Sequence, residues 1–217
     1  MIRPKAELIE QLTNPGVIAV IRTDRREQVL PVAEALIAGG LTAIEITMTT
    51  PDAIGAIREA SEKLGDRALI GVGTVLDPTQ CRAAIAVGAQ FVVSPICLPE
   101  LSLIARTARC LMIMGAYTPT EVQLAHETGA DFVKLFPADA LGVAYIKALR
   151  GPLPHLRIIP TGGVDENNLA EYFKAGCPAV CVGASMITRR ILETNDWPEL
   201  TRRAAEFVRR AKAARNA

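Results

Sequence analysis

Six lysines occur in the chain, and five of them fall in stretches of helical period. The sixth, Lys134, stands in Asp131-Phe132-Val133-Lys134-Leu135-Phe136, with strand residues expected on both sides. An ammonium in an apolar pocket loses hydration, so its pKa falls and the free amine becomes a nucleophile toward carbonyl compounds, the requirement of Schiff-base chemistry. Glu45 interrupts another apolar run, Ala43-Ile44-Glu45-Ile46, and Arg22 ends a third, Val17-Ile18-Ala19-Val20-Ile21. A carboxyl group beside the amine can serve as general acid and base. Lys134 and Glu45 can equally form a buried structural ion pair, and the residues alone leave that open. Apolar replacement of such pairs is often neutral or stabilising, so stability is a poor reason to keep one.

Two further loops have the composition of an anion site: Pro160-Thr161-Gly162-Gly163 and Val182-Gly183-Ala184-Ser185. Glycine exposes backbone N–H groups that side chains would otherwise screen, and such groups at the start of a helix bind phosphate. Thr74, in Gly71-Val72-Gly73-Thr74-Val75, and Pro95, in Val93-Ser94-Pro95, end two more apolar runs. Thr74 can bond a substrate carboxylate or hydroxyl, or satisfy its own backbone. Phe136 reads as barrel packing rather than as a specific contact, and as a candidate on the substrate side it would be an apolar wall that helps keep the Lys134 amine neutral. His126 falls in a helical stretch and His155 in a proline-flanked loop, neither placed for catalysis.

These positions are ordered by the elements around them. Eight β-branched runs alternate with helical stretches: residues 17–21, 43–46, 69–72, 91–93, 111–114, 132–136, 157–160 and 179–182. The runs are near-continuously apolar, as strands covered on both faces are. Gly40, Gly88, Gly129 and Gly176 recur between a helix and the next strand, where a left-handed cap is needed. Thr50-Pro51, Asp77-Pro78 and Thr118-Pro119 place an N-cap before a proline at the first helical position, the last two with the Gln80 or Glu121 of a capping box. Eight βα units without a linker predict an α/β fold, a single-domain (β/α)8 barrel over residues 1–217. An initial helix over 6–12 would cover the barrel bottom, and a final one over 197–213 would close the ring. The arginines of that last helix, Arg202, Arg203, Arg209 and Arg210, read as a solvated face.

The 217 residues are 50% hydrophobic, 22% charged and 4% aromatic, enough apolar side chain for one sizeable core. A net charge of +1 gives no sign of a nucleic-acid or anionic-membrane partner, and no apolar run is long enough to span a bilayer. The start of the chain does not resemble a signal peptide, so the cytoplasm is expected. Five cysteines at irregular positions within apolar runs read as reduced core residues, with Cys177 and Cys181 expected on one strand. Two histidines leave little for a Cys/His zinc site, so no metal and no cofactor are expected.

Glu45-Ile46-Thr47, Gly71-Val72-Gly73-Thr74-Val75-Leu76, Lys134-Leu135-Phe136-Pro137-Ala138 and Pro160-Thr161-Gly162-Gly163-Val164 together resemble the family of 2-keto-3-deoxy-6-phosphogluconate (KDPG) and 4-hydroxy-2-oxoglutarate (KHG) aldolases. The resemblance runs from about Val17 to Ser185. It implies a homotrimeric, metal-independent class I aldolase of the Entner–Doudoroff route, acting on small molecules: pyruvate and a phosphorylated keto acid. By resemblance, Lys134 would form the Schiff base and Glu45 would move protons. Gly162, Gly163, Gly183 and Ser185 would hold phosphate, Thr74 and Pro95 would line the pyruvate end, and Thr161 would meet the sugar hydroxyls. Two departures stand out. Thr49 occupies the place where gluconate-type members carry an arginine for the substrate carboxylate, which leaves Arg22 to take over. Met114-Gly115 stands where many members have Pro-Gly.

The implied reaction is reversible cleavage of KDPG to pyruvate and glyceraldehyde 3-phosphate, with KHG cleavage to pyruvate and glyoxylate beside it. The epimeric 6-phosphogalactonate substrate is the alternative. A metal-dependent epimerase would need histidines or carboxylates at several strand ends, and a non-catalytic phosphosugar sensor has no use for a nucleophile.

Overall fold

A computed structural model describes residues 3–216. Eight strands, β1 (Val17–Ile21), β2 (Ala43–Thr47), β3 (Leu69–Gly73), β4 (Phe91–Val93), β5 (Leu111–Ala116), β6 (Phe132–Leu135), β7 (Ile158–Pro160) and β8 (Val180–Val182), form one all-parallel sheet in the order β7-β6-β5-β4-β3-β2-β1-β8. Seven neighbouring pairs share runs of register, and a lone bridge between Thr161 and Cys181 joins β7 to β8. The sheet is therefore a (β/α)8 barrel, as the alternation of elements predicted.

Among the described residues, ten α-helices accompany it: α1 (Lys5–Thr13), α2 (Val29–Ala38), α3 (Ala53–Leu64), α4 (Pro78–Ala86), α5 (Pro99–Thr107), α6 (Pro119–Glu127), α7 (Gly142–Arg150), α8 (Leu169–Lys174), α9 (Arg189–Thr194) and α10 (Trp197–Arg215). Helix α1 buries Leu8 and Leu12 against the barrel interior and closes its bottom, and α10 packs on α2 and α8 to complete the ring. None of the described helices is long and apolar enough to cross a membrane.

The period of two along each strand sorts its residues between two cores. Ile18, Ala43, Leu69, Phe91, Leu111, Phe132, Ile159 and Ala179 fill the barrel, whereas Val17, Ile44, Ile70, Val92, Met112, Val133, Ile158 and Val180 face the helices. The inward set continues upward through Val20, Glu45, Gly71, Val93, Ile113, Lys134, Thr161 and Cys181. The two charged residues thus lie one step above a plug of large apolar side chains.

Local signals explain most boundaries. Gly40, Gly88, Gly129 and Gly176 all adopt positive φ, between 85° and 109°. Asp77 caps α4 through the Gln80 N–H, and Thr118 with Glu121 forms a complete capping box on α6. The Gln80 side chain instead accepts from the N–H of Leu76, so the expected box on α4 is only half formed. The start of α3 also differs: Asp52, at φ 45°, is the cap and bonds the Gly55 N–H, while Pro51 lies outside the helix. A carboxylate accepts that N–H at least as well as the Thr50 hydroxyl, which is turned toward Thr23 and Thr47. All five cysteines are free thiols, four of them buried. Only Cys181 lies on a strand; Cys177 belongs to the loop before it, because Gly176 turns the chain there.

Candidate active site

Lys134 sits in the middle of β6, and its side chain is 6% exposed. Across the barrel mouth from it, Glu45 on β2 is fully buried. Their Nζ and Oε1 atoms are 4.0 Å apart, beyond hydrogen-bond range. Neither Glu45 oxygen has a hydrogen-bond partner within the protein. A pair kept for structure would be expected to close and satisfy both groups; this one stands open, with neither carboxyl oxygen satisfied. Burial pushes the Glu45 carboxyl above its ordinary value of 4.5, opposed by the charges of Lys134 and then Arg22. A carboxyl raised in this way holds and releases protons closer to neutrality, as acid–base work requires.

Glycine makes the space. A Cβ on Gly73 would lie 1.8 Å from Glu45 Oε1, so β3 can pass beside the carboxyl only without a side chain. Cys181 on β8 is a further neighbour, its thiol pushed up to about 12 by burial and by the Glu45 charge. It is therefore a neutral thiol at ordinary pH. Phe136 lies just beyond β6 and is 39% exposed, correcting its assignment to barrel packing. The strand ends one residue earlier than expected, which frees the ring to stand at the mouth, its centroid 5.2 Å from Lys134 Nζ.

A cleft of about 970 Å³ opens on the side of β7, β8 and β1; it reaches Phe136 and Cys181, the neighbours of the pair, while Lys134 and Glu45 themselves lie buried beyond its lining. Arg22, Phe136, Thr161, Gly162, Gly163, Gly183 and Ser185 all line it, with Val20 and Cys181 at its floor. Gly162 and Gly163 have φ of 96° and 69°, a conformation that turns successive N–H groups to one side. Among the described residues, the N–H groups of Gly163, Val164, Ala184 and Ser185 carry no hydrogen bond to a protein acceptor. The Ser185 hydroxyl is committed to the Val164 carbonyl at 2.6 Å and ties the two loops together. Thr161 is 8% exposed, and its hydroxyl has no protein partner.

Thr49, Thr74 and Pro95 stand off the cleft. The Thr49 hydroxyl is 2.9 Å from that of Thr47, within a cluster that includes Thr50. Of the two candidates for a carboxylate, only Arg22 faces the open volume. Thr74 is a β-branched residue at φ 59°, a strained conformation costing about 1–3 kcal/mol. Pro95 packs its backbone on Gly115, where a Cβ would come within 2.2 Å, and Met114 turns outward to accept from the Leu98 N–H. The glycine of that pair is thus fixed sterically and its neighbour is not. His126 and His155 pack against each other at a tilt of 55°, ring centroids 4.6 Å apart, on α6 and the loop before β7, away from these groups.

The sequence is matched over residues 8–203 by the family model described as KDPG and KHG aldolase. The chain belongs to the KDPG and KHG aldolase family. A 2-dehydro-3-deoxy-phosphogluconate aldolase of Pseudomonas aeruginosa is 42% identical over 196 residues, covering 89% of this chain and 88% of its own. Among solved structures, the native KDPGal structure superposes with a TM-score of 0.86 at 33% identity, covering 93% of this chain and 96% of its own. The KDPG aldolase of Legionella pneumophila, with pyruvate captured at low pH as a covalent carbinolamine intermediate, gives 0.85 at 32%, covering 91% and 96%.

Three groups near the site carried little or no signal in the sequence. Gly73 is one, since an absent side chain has no pattern of its own. Cys181 is another, read only as core. The last is Arg203, assigned with its helix neighbours to a solvated face. Arg202 and Arg209 are indeed exposed and paired with Glu199 and Glu206. Arg203 and Arg210, however, donate to the backbone carbonyls of Ser185 and Glu166, because the α10 face that bears them packs behind those loops.

Proposed function

We propose that this chain is a class I aldolase that reversibly cleaves KDPG to pyruvate and glyceraldehyde 3-phosphate, and KHG to pyruvate and glyoxylate. The open, buried Glu45–Lys134 pair carries the reading. The Lys134 amine adds to the C2 keto carbon, and loss of water from the carbinolamine leaves an iminium. As the C4 hydroxyl gives up its proton, its electron pair forms the aldehyde carbonyl. The C3–C4 pair moves onto C3 as the enamine and neutralises the iminium. Glu45 accepts the hydroxyl proton and returns one to C3, after which water releases pyruvate and the free amine. Arg22 meets the carboxylate, Thr161 the sugar hydroxyls, and the N–H groups around Gly162, Gly163, Gly183 and Ser185 the phosphate. Thr74 and Pro95 shape the pyruvate end from behind, and Phe136 walls the mouth.

The pyruvate-carbinolamine structure of the Legionella relative supports the covalent step. The epimeric galactonate substrate is the second reading, favoured by a neutral Thr49 together with an exposed Arg22. We place the enzyme in the cytoplasm on the Entner–Doudoroff route and as a homotrimer. Exposed Leu76, Ile96, Leu103, Tyr117 and Leu124 on successive elements from the β3–α4 loop to α6 offer a subunit face.

Incubation with pyruvate and borohydride tests the central claim. The expected product is a stable pyruvyl adduct on the peptide containing Lys134, absent with turnover in Lys134→Ala. An adduct on Lys147 or Lys63, or none, sinks the assignment.

A further inference from the structure

Helix α10 lies outside the cleft, yet it touches both loops that line it. An Nη of Arg203 donates to the Ser185 carbonyl, while its Nε is buried without a partner and its side chain is 24% exposed. Two turns further along, Arg210 Nη1 donates to the Glu166 carbonyl at 2.7 Å, and its Nε is held by Glu206 at 2.6 Å. Ser185 in turn bonds the Val164 carbonyl, so the β7 and β8 loops and α10 are joined by three side-chain-to-backbone bonds. Two of these use a guanidinium, whose planar donors hold a carbonyl in a fixed direction.

We infer that Arg203 and Arg210 are positioning residues for phosphate recognition, bracing from behind the backbone that grips the anion. This rests on the phosphate reading of the cleft given above. A backbone N–H cradle has no side chains with which to hold its own shape, so its geometry must be imposed from elsewhere. The left-handed Gly162 and Gly163 make that need acute, since glycine leaves the chain free to adopt other conformations. Arg203 is also paired with Glu199 at 3.9 Å, so its part in the brace is the direction of its donors and not a free charge.

The differential effect separates bracing from ordinary structural loss. Phosphate belongs to the non-reacting end of the substrate, so a loosened cradle should raise KM for the phosphorylated acid and leave pyruvate addition at Lys134 intact. Full-length wild type, Arg203→Met, Arg210→Met, Arg203→Lys and Arg209→Met would be compared. The readouts are KDPG cleavage, inhibition by inorganic phosphate and the rate of borohydride trapping with pyruvate.

Arg203→Met should raise KM for KDPG about tenfold, as for loss of one charged-donor hydrogen bond, and weaken phosphate inhibition in parallel. Its kcat and trapping rate should remain within about twofold of wild type. Arg203→Lys, which keeps the charge and one donor, should fall between, and Arg209→Met, which removes only a pairing with Glu206, should behave as wild type. If Arg203→Met does not fold, Arg210→Met reads the same ratio on the other half of the brace. An unchanged KM, or a trapping rate that falls in step with KDPG cleavage, overturns the brace while leaving the phosphate site standing. A wild type insensitive to inorganic phosphate overturns the phosphate reading itself, and the brace with it.

Discussion

Gly73→Ala tests whether the position of Glu45, and not merely its presence, sets the rate. The added Cβ would lie 1.8 Å from Oε1, 2.5 Å from Cδ and 2.6 Å from Cγ of Glu45, and real Cβ contacts essentially never fall under 3.0 Å. The carboxyl must therefore retreat by about 1.2 Å, through a wall of buried side chains with no spare volume. A misplacement of about 1 Å at a reacting group costs about 100-fold, or about 2.7 kcal/mol in the barrier. We expect kcat for cleavage to drop by about that factor with KM little changed, and the overpacked variant to lose about 1–3 kcal/mol of stability. Gly71→Ala is the control, because its Cβ meets the Phe91 ring at 2.5 Å rather than the carboxyl. It should cost stability and leave kcat closer to wild type. Steady-state kinetics below each variant's melting temperature would decide. A Gly73→Ala enzyme with wild-type kcat, or one whose loss is matched by Gly71→Ala, would refute the argument.

Glu45→Gln keeps the shape and removes the proton carrier, so kcat should fall by about two to four decades with little change in KM; near-normal turnover with altered stability would instead mark a structural pair. The same variant has a stability signature. The folded carboxyl lies above its ordinary 4.5, so folding binds a proton, and Glu45's contribution is complete below 4.5 and lost as pH rises through the folded value. Wild type should therefore lose stability relative to Glu45→Gln as pH climbs from 4.5, and chemical denaturation at several pH values that showed a constant difference would contradict the burial argument. Gly163→Ala should damage KDPG cleavage far more than borohydride trapping of pyruvate, because φ of 69° and a contact of 2.4 Å to Asp139 Cβ force the loop to move; equal damage to both would remove the phosphate from this loop.

What the sequence disclosed follows from how each feature is encoded. The strands and their order were legible because parallel strands under helices are apolar on both faces. The left-handed caps were legible because glycine alone tolerates them without cost. Lys134, Glu45 and Arg22 stood out as charges in runs that should have none. Asp52 rather than Thr50 as the α3 cap was not legible, because either oxygen can accept an N–H and tertiary contacts of the threonines decided. Phe136 could not be separated from packing while the end of β6 was uncertain by one residue. Gly73 and Arg203 were opaque for opposite reasons. One acts by what it lacks, and the other looks like its exposed neighbours until the loop it touches is placed beside it.

The lone Thr161–Cys181 bridge between β7 and β8 makes the barrel a sheet whose two edges barely meet. The glycine loops spring from those same two edges, so an anion gripped by both spans the seam and acts as its clasp. Substrate occupancy and barrel closure then become one linked equilibrium. Ligand at a hundred times its dissociation constant adds about 2.7 kcal/mol to the closed form. Amide exchange along β7 and β8 is where that energy should register first, fast in the empty enzyme and slowed when phosphate is held. On the proposed reading, the recognition site is also the fastening.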